Sequence, residues 1–581
     1  MRLPHRRLGR TRREQEKIAV AAVDEVPHAG IRVDDDARDA LAARLTKEQT
    51  RRDALRVGIA AGGGLVAALV ADRLIGHAGA APGDAIGGTT ISDTDIDAKR
   101  IAAIRIATEF EPTKHAGTPA DPWTEAGINA AMADLGSSGG LVFLPVGNWR
   151  VRPITFPSNN IRLSGSGFST KLAADPTFYT GNTSAMFLLN GRLGVTLSDM
   201  ALDGAGTDTC FGINATGGSD PIISRMKFTG WLGTLSQRAR GISIQQNPSS
   251  GPPFLEAVVS DCVFDGNQIG VVVHRCRYMI IGCRADNHLF DGFYIDGNQA
   301  QGSMLGCITY NNARTGINAV FSERSTLADN TSYRDATGIQ LYSATRMVVH
   351  GNTINEALNG GILVNASTKY SIIADNWLYH QATSGNGHGI SMYNGCVYNL
   401  IRGNVCNANA RNGIWLSLNS NENVIVDNIC FANSATDAGY AGILLATIGN
   451  LVQGNRCFDD QTTKTQAYGI LEQSPADGNY ILGNRLDGNL TAPLSVIGPG
   501  TVVRGNIGYR TENRGVATVL NGQNSVIAAH GLTKIPVLAT LGPRHAEVAS
   551  AYVSVRDATN ITIAVPAAVT ANRDVDWYAE A

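Results

Sequence analysis

A glycine followed by an apolar residue returns every two dozen positions or so through the middle of this chain, and few folds can use such a rhythm. It stands at Gly270, Gly292, Gly316, Gly338, Gly361, Gly389, Gly413, Gly442 and Gly469, in steps of 22, 24, 22, 23, 28, 24, 29 and 27 residues. A second marker keeps pace with it: an Asn preceded by Gly or Asp, at Asn330, Asn352, Asn376, Asn404, Asn428, Asn455, Asn484 and Asn506. Earlier in the chain the same slot holds Cys262, Cys283 and Cys307. Between the markers lie short β-type runs such as Gly338-Ile339-Gln340-Leu341-Tyr342. Such runs are too short for independent domains. They can wind into a coil in which each strand pairs with its equivalent one turn later, about 4.8 Å away. Asn suits the slot because it tolerates the left-handed backbone of a sharp bend, and because stacked Asn side chains hydrogen-bond in a ladder.

Bulk properties agree with many short strands. Charged residues make up 17% of the chain and there are 65 glycines, a composition poor in long solvated helices. A length of 581 residues predicts two or three units, and a net charge of −2 gives no sign of a nucleic-acid partner. Cys406, Cys430 and Cys457 each fall two residues after a ladder Asn, so both cysteine sets read as free, packed thiols on one inner line. No spacing among the cysteines and histidines suggests zinc.

Residues 1–80 stand apart. Arg51-Arg52 precedes an uncharged stretch from Val57 to Ala71 and a small-x-small Ala78-Gly79-Ala80, a pattern similar to a twin-arginine export signal. A membrane anchor, or a buried or virion-attachment helix, are the alternatives. The first two place the rest of the chain outside the cytoplasm, with membrane contact only through this segment. Residues 81–120 read as a linker.

From Asp121 to Gly167 the sequence carries Asp121-Pro122-Trp123, a helical stretch from Glu125 to Ala131, then Gly139-Gly140-Leu141-Val142-Phe143-Leu144-Pro145 and Ile161-Arg162-Leu163-Ser164-Gly165-Ser166-Gly167. This resembles the start of the pectate-lyase-like β-helix superfamily. The resemblance implies an all-β fold: a right-handed parallel β-helix over 121–510, its N-terminal mouth closed by a capping helix. It does not imply a reaction, since the superfamily holds lyases, hydrolases, epimerases, phage tailspikes and proteins without known activity. Gly387-His388-Gly389 looks like the Gly-His-Gly element of polygalacturonases, but their upstream paired aspartates and their Asn-Thr-Asp and Arg-Ile-Lys elements are absent.

The coil also predicts where a site would be. From marker Gly to ladder Asn the chain is nearly constant in length. From ladder Asn to the next Gly it grows from 8 or 9 residues to 13 after Asn376 and 14 after Asn428 and Asn455. All insertions therefore stack at one corner, as at the binding face of many solenoids. On the strand after each Gly, alternation turns Ile339 and Leu341, Ile414 and Leu416, and Ile443 and Leu445 inward. It turns His274, Tyr294, Asp296, Asn318, Gln340, Tyr342, Asn365, Ser391, Tyr393, Trp415 and Ser417 outward. Aromatic rings among amides suit sugars, and the expected contacts are Tyr294, Asn318, Gln340, Tyr342, Asn365, Tyr393 and Trp415.

Candidate catalytic residues are Asp291, Asp296, Asp335, Glu356 and His388, with His288, His380, Asp437, Asp459 and Asp460 also near the corner. Hydrolysis requires two carboxyls roughly 5–10 Å apart, which Asp291 with Asp296, or Asp335 with Glu356 on adjacent coils, would supply. A lyase or epimerase requires a base and a positive charge, for which Arg314 and Arg334 are candidates. No cofactor is required, and a divalent cation such as calcium is left open.

Residues 511–581 break the rhythm and read as a small β-sandwich of capping, sugar-binding or trimerising role. Three functions follow: a secreted or cell-surface enzyme on a cell-wall or uronate-containing glycan, a non-catalytic glycan-binding adhesin, or a virion tail spike or fibre, with a homotrimer open.

Overall fold

The computed structural model describes residues 104–581 apart from 180–184, 207–210, 218, 234–238, 246–255, 298–299, 383–385 and 437. The export-like segment, and Asp437, lie outside the described residues. Short strands wind into a right-handed solenoid of about 15 turns with three parallel sheets as its walls. Sheet A has 16 strands, from Ile104–Ile106 to Val502–Arg504. Sheets B and C have 14 each, from Trp123–Thr124 to Arg456–Phe458 and from Ile154–Thr155 to Ala492–Ser495. Each coil visits A, then B, then C. The solenoid thus begins within the segment read as a linker: Ile104–Ile106 already pairs with Gly140–Phe143. Helix α1 (Glu125–Asp134) sits at this mouth, its first turn capped by the Thr124 hydroxyl, which accepts from the Ala126 N–H at 3.3 Å. Gly127, Ile128, Ala131 and Met132 on its inner side are buried. No helix among the described residues is long and apolar enough to cross a membrane.

The marker glycines form a single file at the entrance to sheet C. A Cβ built on any of Gly270, Gly292, Gly316, Gly338, Gly361, Gly389, Gly413 or Gly442 would fall 2.5–2.9 Å from the carbonyl oxygen of the next glycine in the file. Glycine is needed there for close approach. The same Cβ would press on sheet B across the narrow interior: Cys406 Cβ lies 3.1 Å from the Gly389 position, Cys430 Sγ 3.0 Å from Gly413 and Cys457 Cβ 2.9 Å from Gly442. This explains the small thiols. The eight described cysteines are buried and free, but they occupy more than one inner line. Cys406, Cys430 and Cys457 stack within sheet B, whereas Cys307 holds the A–B corner, its N–H bonded to Asn330 Oδ1 at 2.9 Å.

That corner carries the expected ladder. Asn352 Nδ2 donates to Asn376 Oδ1 at 2.9 Å and back to the Leu327 carbonyl of the preceding coil at 2.9 Å. Asn376 Oδ1 also accepts the Asn352 backbone N–H at 3.0 Å. The pattern repeats through Asn404, Asn428, Asn455 and Asn484 to Asn506. One expectation is corrected. The left-handed residue is the one before each Asn, for example Asp329 (φ 56°), Gly351 (φ 66°), Asp375 (φ 56°) and Gly403 (φ 64°). Asn is selected for its amide, and the preceding Gly or Asp for the bend.

Two further ladders stand five residues to either side. Five residues earlier, at the C–A corner, Ser371, Asn399, Asn423, Asn450 and Asn479 each accept the backbone N–H of the rung before. Five residues later, at the B–C corner, His288, Asn312, Asp335, Gln381, Asn409 and Asn433 do the same. At these rungs a buried peptide N–H of the bend is satisfied by a side chain from the next coil.

After Asn506 the chain forms two three-stranded antiparallel sheets around Val519, Val548, Ile561, Ile563, Val575 and Trp577. This matches the expected sandwich, with one added strand, Glu512–Val519.

Asn404→Ala removes one rung and strands the Asn376 donors. At about 1–3 kcal/mol for each buried group left unpaired, it should destabilise the solenoid by roughly 2–4 kcal/mol in urea unfolding, while Gln453→Ala on the outside should change nothing measurable. Equal midpoints for both variants would contradict a stabilising ladder.

Candidate functional site

The outer wall of sheet C is built from two files of side chains. Register places Tyr294, Asn318, Gln340, Leu363, Ser391 and Trp415 on consecutive strands in one file. His274, Asp296, Val320, Tyr342 and Asn365 stand in the other, and Tyr393 follows as its N–H reaches the Val364 carbonyl at 3.1 Å. The expected inward set, including Ile339, Leu341, Ile414, Leu416, Ile443 and Leu445, is fully buried. Seven strands from His274 to Trp415 span roughly 29 Å along the axis at about 4.8 Å per strand.

Two centres lie on this wall. In the first, Arg314 grips the fully buried Asp291 with two donors, Nε at 2.8 Å and Nη2, and Asn318 Nδ2 adds a third at 3.3 Å. Hydrogen bonding to Asp291 raises the Arg314 pKa, so the guanidinium is a fixed cation. Its side chain nevertheless stays 44% exposed, and it lies 5.8 Å from the Tyr294 ring. Asn318 Oδ1 and Thr315 Oγ1 beside it are buried without a hydrogen-bond partner. On the neighbouring strands Ile269–His274 and Phe293–Asp296, His274 Nδ1 meets Asp296 Oδ2 at 3.1 Å, both partly exposed.

The second centre is aromatic. The His388 ring stacks on Trp415 at 4.7 Å and meets Tyr440 edge-on at 6.2 Å, while Tyr393 lies 6.1 Å from Trp415. Burial, with Arg411 adding to it, drives the His388 pKa down to about 3, so the ring is neutral at physiological pH. Its Nδ1 accepts the Asn412 N–H at 3.2 Å. Just before it in the file stands Gly360, where an added Cβ would meet only the His388 carbonyl, leaving a gap in the wall. Beyond Trp415 the wall closes. Leu444 and Leu471 point outward yet are buried, packed with Ala441, Trp415 and Tyr468. The long insertions at the B–C corner therefore accompany an apolar cluster rather than a polar groove. Within them, buried Asp459 accepts from the Gln461, Thr465 and Gln466 N–H groups and shapes its own loop.

The expected carboxylate pairs do not assemble. Asp335 points inward with no exposure, receiving Thr309, Ser332 and Asn312; burial lifts its pKa to about 6. Glu356, one position out of phase on the next coil, turns outward and binds Arg334 at 2.8 Å. Asp291 and Asp296 share a coil but stand five residues apart, up to about 17 Å along an extended chain, and Asp291 is held by Arg314. His288 is a ladder rung whose pKa burial lowers to about 4. His380 adjoins Tyr379 on the sheet B side. No group of three or more His, Cys, Asp or Glu among the described residues is arranged to hold a metal ion.

The family model for the right-handed β-helix region matches residues 240–396. No curated protein matches the sequence. Among solved structures, the A-module of mannuronan C-5 epimerase AlgE6 of Azotobacter vinelandii is 18% identical, with 69% of this chain and 98% of that one covered and a TM-score of 0.37. The tailspike of E. coli bacteriophage HK620, solved with a pentasaccharide, is 12% identical over 87% of this chain and 97% of its own, with a TM-score of 0.48. The tailspike of Pseudomonas phage phi297 is 10% identical over 83% and 99%, with a TM-score of 0.46.

His288 supplies a pH test. Its folded pKa lies below the ordinary value of 6.5, so the unfolded chain binds the proton first. The stability its neutral form contributes is full above pH 6.5 and is lost as pH falls toward 4. His288→Asn, which keeps the rung, should flatten that decline in melting temperature between pH 6.5 and 4. An unaltered slope would remove His288 as its source.

Proposed function

We propose that this protein acts on a polysaccharide that lies lengthwise on the outer wall of sheet C. The rings of Tyr294, Tyr342 and Trp415 and the amides of Asn318, Gln340 and Asn365, set in register on two neighbouring files, are the observation that carries this reading. Sugar rings present an apolar face for stacking and a rim of hydroxyls for amides, and a chain of them needs such contacts repeated at short, regular intervals.

For chemistry, the first centre supports proton transfer beside a uronate carboxylate, as in elimination or epimerisation, better than two-carboxylate hydrolysis. Asp296 on His274 Nδ1 orients the ring and leaves Nε2 as the base. Tyr294 on the adjacent file is the partner acid, and the exposed edge of Arg314 is the charge that meets the sugar carboxylate. Trp415, backed by the buried His388 ring, is a stacking subsite five strands further along. An extracytoplasmic location accords with a polysaccharide substrate and with the export-like N-terminal segment.

A non-catalytic glycan-binding role is the second reading, favoured by each wall acid being already engaged within the protein, Asp291 by Arg314 and Asp296 by the His274 ring. The two separate cleanly. Under the catalytic reading the full chain releases unsaturated or epimerised product from a uronan, and His274→Asn lowers the rate by about 10²–10⁴-fold without loss of retention on that glycan. Retention with no product from any uronan selects adhesion. In either case Tyr342→Ala with Gln340→Ala should weaken retention about tenfold, near 1.4 kcal/mol. Unchanged retention would discard the wall.

A further inference from the structure

The outer face of sheet B carries a second set of rings. Between Arg284 and Arg456 lie six consecutive strands, from Ile308–Tyr310 to Ile429–Phe431, and no outward residue on them is charged. The stretch is about 24 Å long at about 4.8 Å per strand. One outward file reads Tyr310, Tyr333, Asn355, Tyr379, Asn407, Phe431, so rings and amides share the line. Tyr310 and Tyr333 stack at 5.6 Å with their planes 22° apart. In the neighbouring file Trp377 is 52% exposed, and it is not loose. Its indole N–H donates to Asn407 Oδ1 on the next coil at 2.9 Å, and its ring lies 5.3 Å from Tyr379. Asn355 Oδ1, between the Tyr333 and Tyr379 rungs, is buried beneath them without a hydrogen-bond partner.

We infer that this face is a second binding site, for a neutral polysaccharide. An exposed indole whose only donor is already bonded is preorganised as a flat apolar platform and loses little freedom on binding. Interspersed amides and threonine hydroxyls match sugar hydroxyls, which an aliphatic protein interface would leave unpaired. The file itself carries no charge, and the one cation over its rings, Arg334 at 5.0 Å from the Tyr333 ring, is already bound to Glu356 at 2.8 Å, so rings and amides rather than a free ion are what the face offers. The two faces therefore hold a glycan through different residues. The sheet B site stands on its own residues and survives failure of the sheet C reading.

Affinity electrophoresis of the full chain in gels containing hydroxyethylcellulose, galactomannan or starch tests it. The protein should be retarded by at least one. Trp377→Ala and Tyr379→Ala should each weaken that retardation about tenfold, Trp377→Phe should restore most of it, and Tyr342→Ala on sheet C should leave it unchanged. Thermal melts matching the parent protein show that the variants are folded. Absence of retardation by all three glycans, or equal retardation of the alanine variants, overturns the proposal. So does sedimentation showing an assembly that Trp377→Ala dissociates, since the face would then belong to a second copy of this chain.

Discussion

A solenoid buries peptide groups at every bend, and the bend is where a strand ladder cannot supply their partners. In this chain the side chain of the next rung supplies them. An amide fits because one Oδ1 accepts both a backbone N–H and a side-chain N–H from the coil before, while its own Nδ2 reaches forward and back. With three such ladders the rungs are locked in register at all three corners, so the sequence of any one coil can vary widely on its outer faces without moving its neighbours. The marker glycines add the complementary condition. No Cβ fits along this file where sheet C begins, so successive coils approach closely there.

This rigidity is what makes the outer faces usable. Side chains on consecutive strands repeat at a fixed short interval, and groups far apart in sequence, such as Tyr294 and Trp415, fall on one line. On sheet C the line passes from a charged, hydrogen-bonded centre at Asp291 and Arg314 to an aromatic one at His388 and Trp415. On sheet B it is uncharged throughout its middle. The same scaffold therefore presents chemically distinct surfaces that differ only in the outward half of each strand, the half that plays no part in the core.

The Gly file and the central Asn ladder were legible because one residue type fills nearly every rung. The flanking ladders were not, because their rungs change identity: His288, Asn312, Asp335 and Gln381 each accept the backbone N–H of the equivalent bend one coil earlier, through different functional groups. Read singly, Asp335 and His288 look like surface acid and base. A signal was present, since both lie five residues after a marker of the central ladder, as in Asn399-x4-Asn404-x4-Asn409. Inward and outward positions on sheet C followed from simple alternation. Pairing of charges did not, because Arg314 reaches Asp291 across a coil from a bend position whose direction alternation does not fix. The aromatic face of sheet B went unseen because its strands are three residues long, and Tyr310, Tyr333 and Tyr379 sit 23 and 46 residues apart with an amide between.

Under the proposed function, the outer wall of sheet C is the face of the coil that meets the glycan the protein acts on. Oxidative footprinting of tyrosine and tryptophan, with and without a bound uronan, reads this directly. Protection should concentrate at Tyr294, Tyr342 and Tyr393, leaving the exposed Tyr370, Tyr398 and Tyr480 of the sheet A side as reactive as in the free protein. Protection of Tyr370, Tyr398 and Tyr480 with no change at the sheet C residues would place the working surface on another wall.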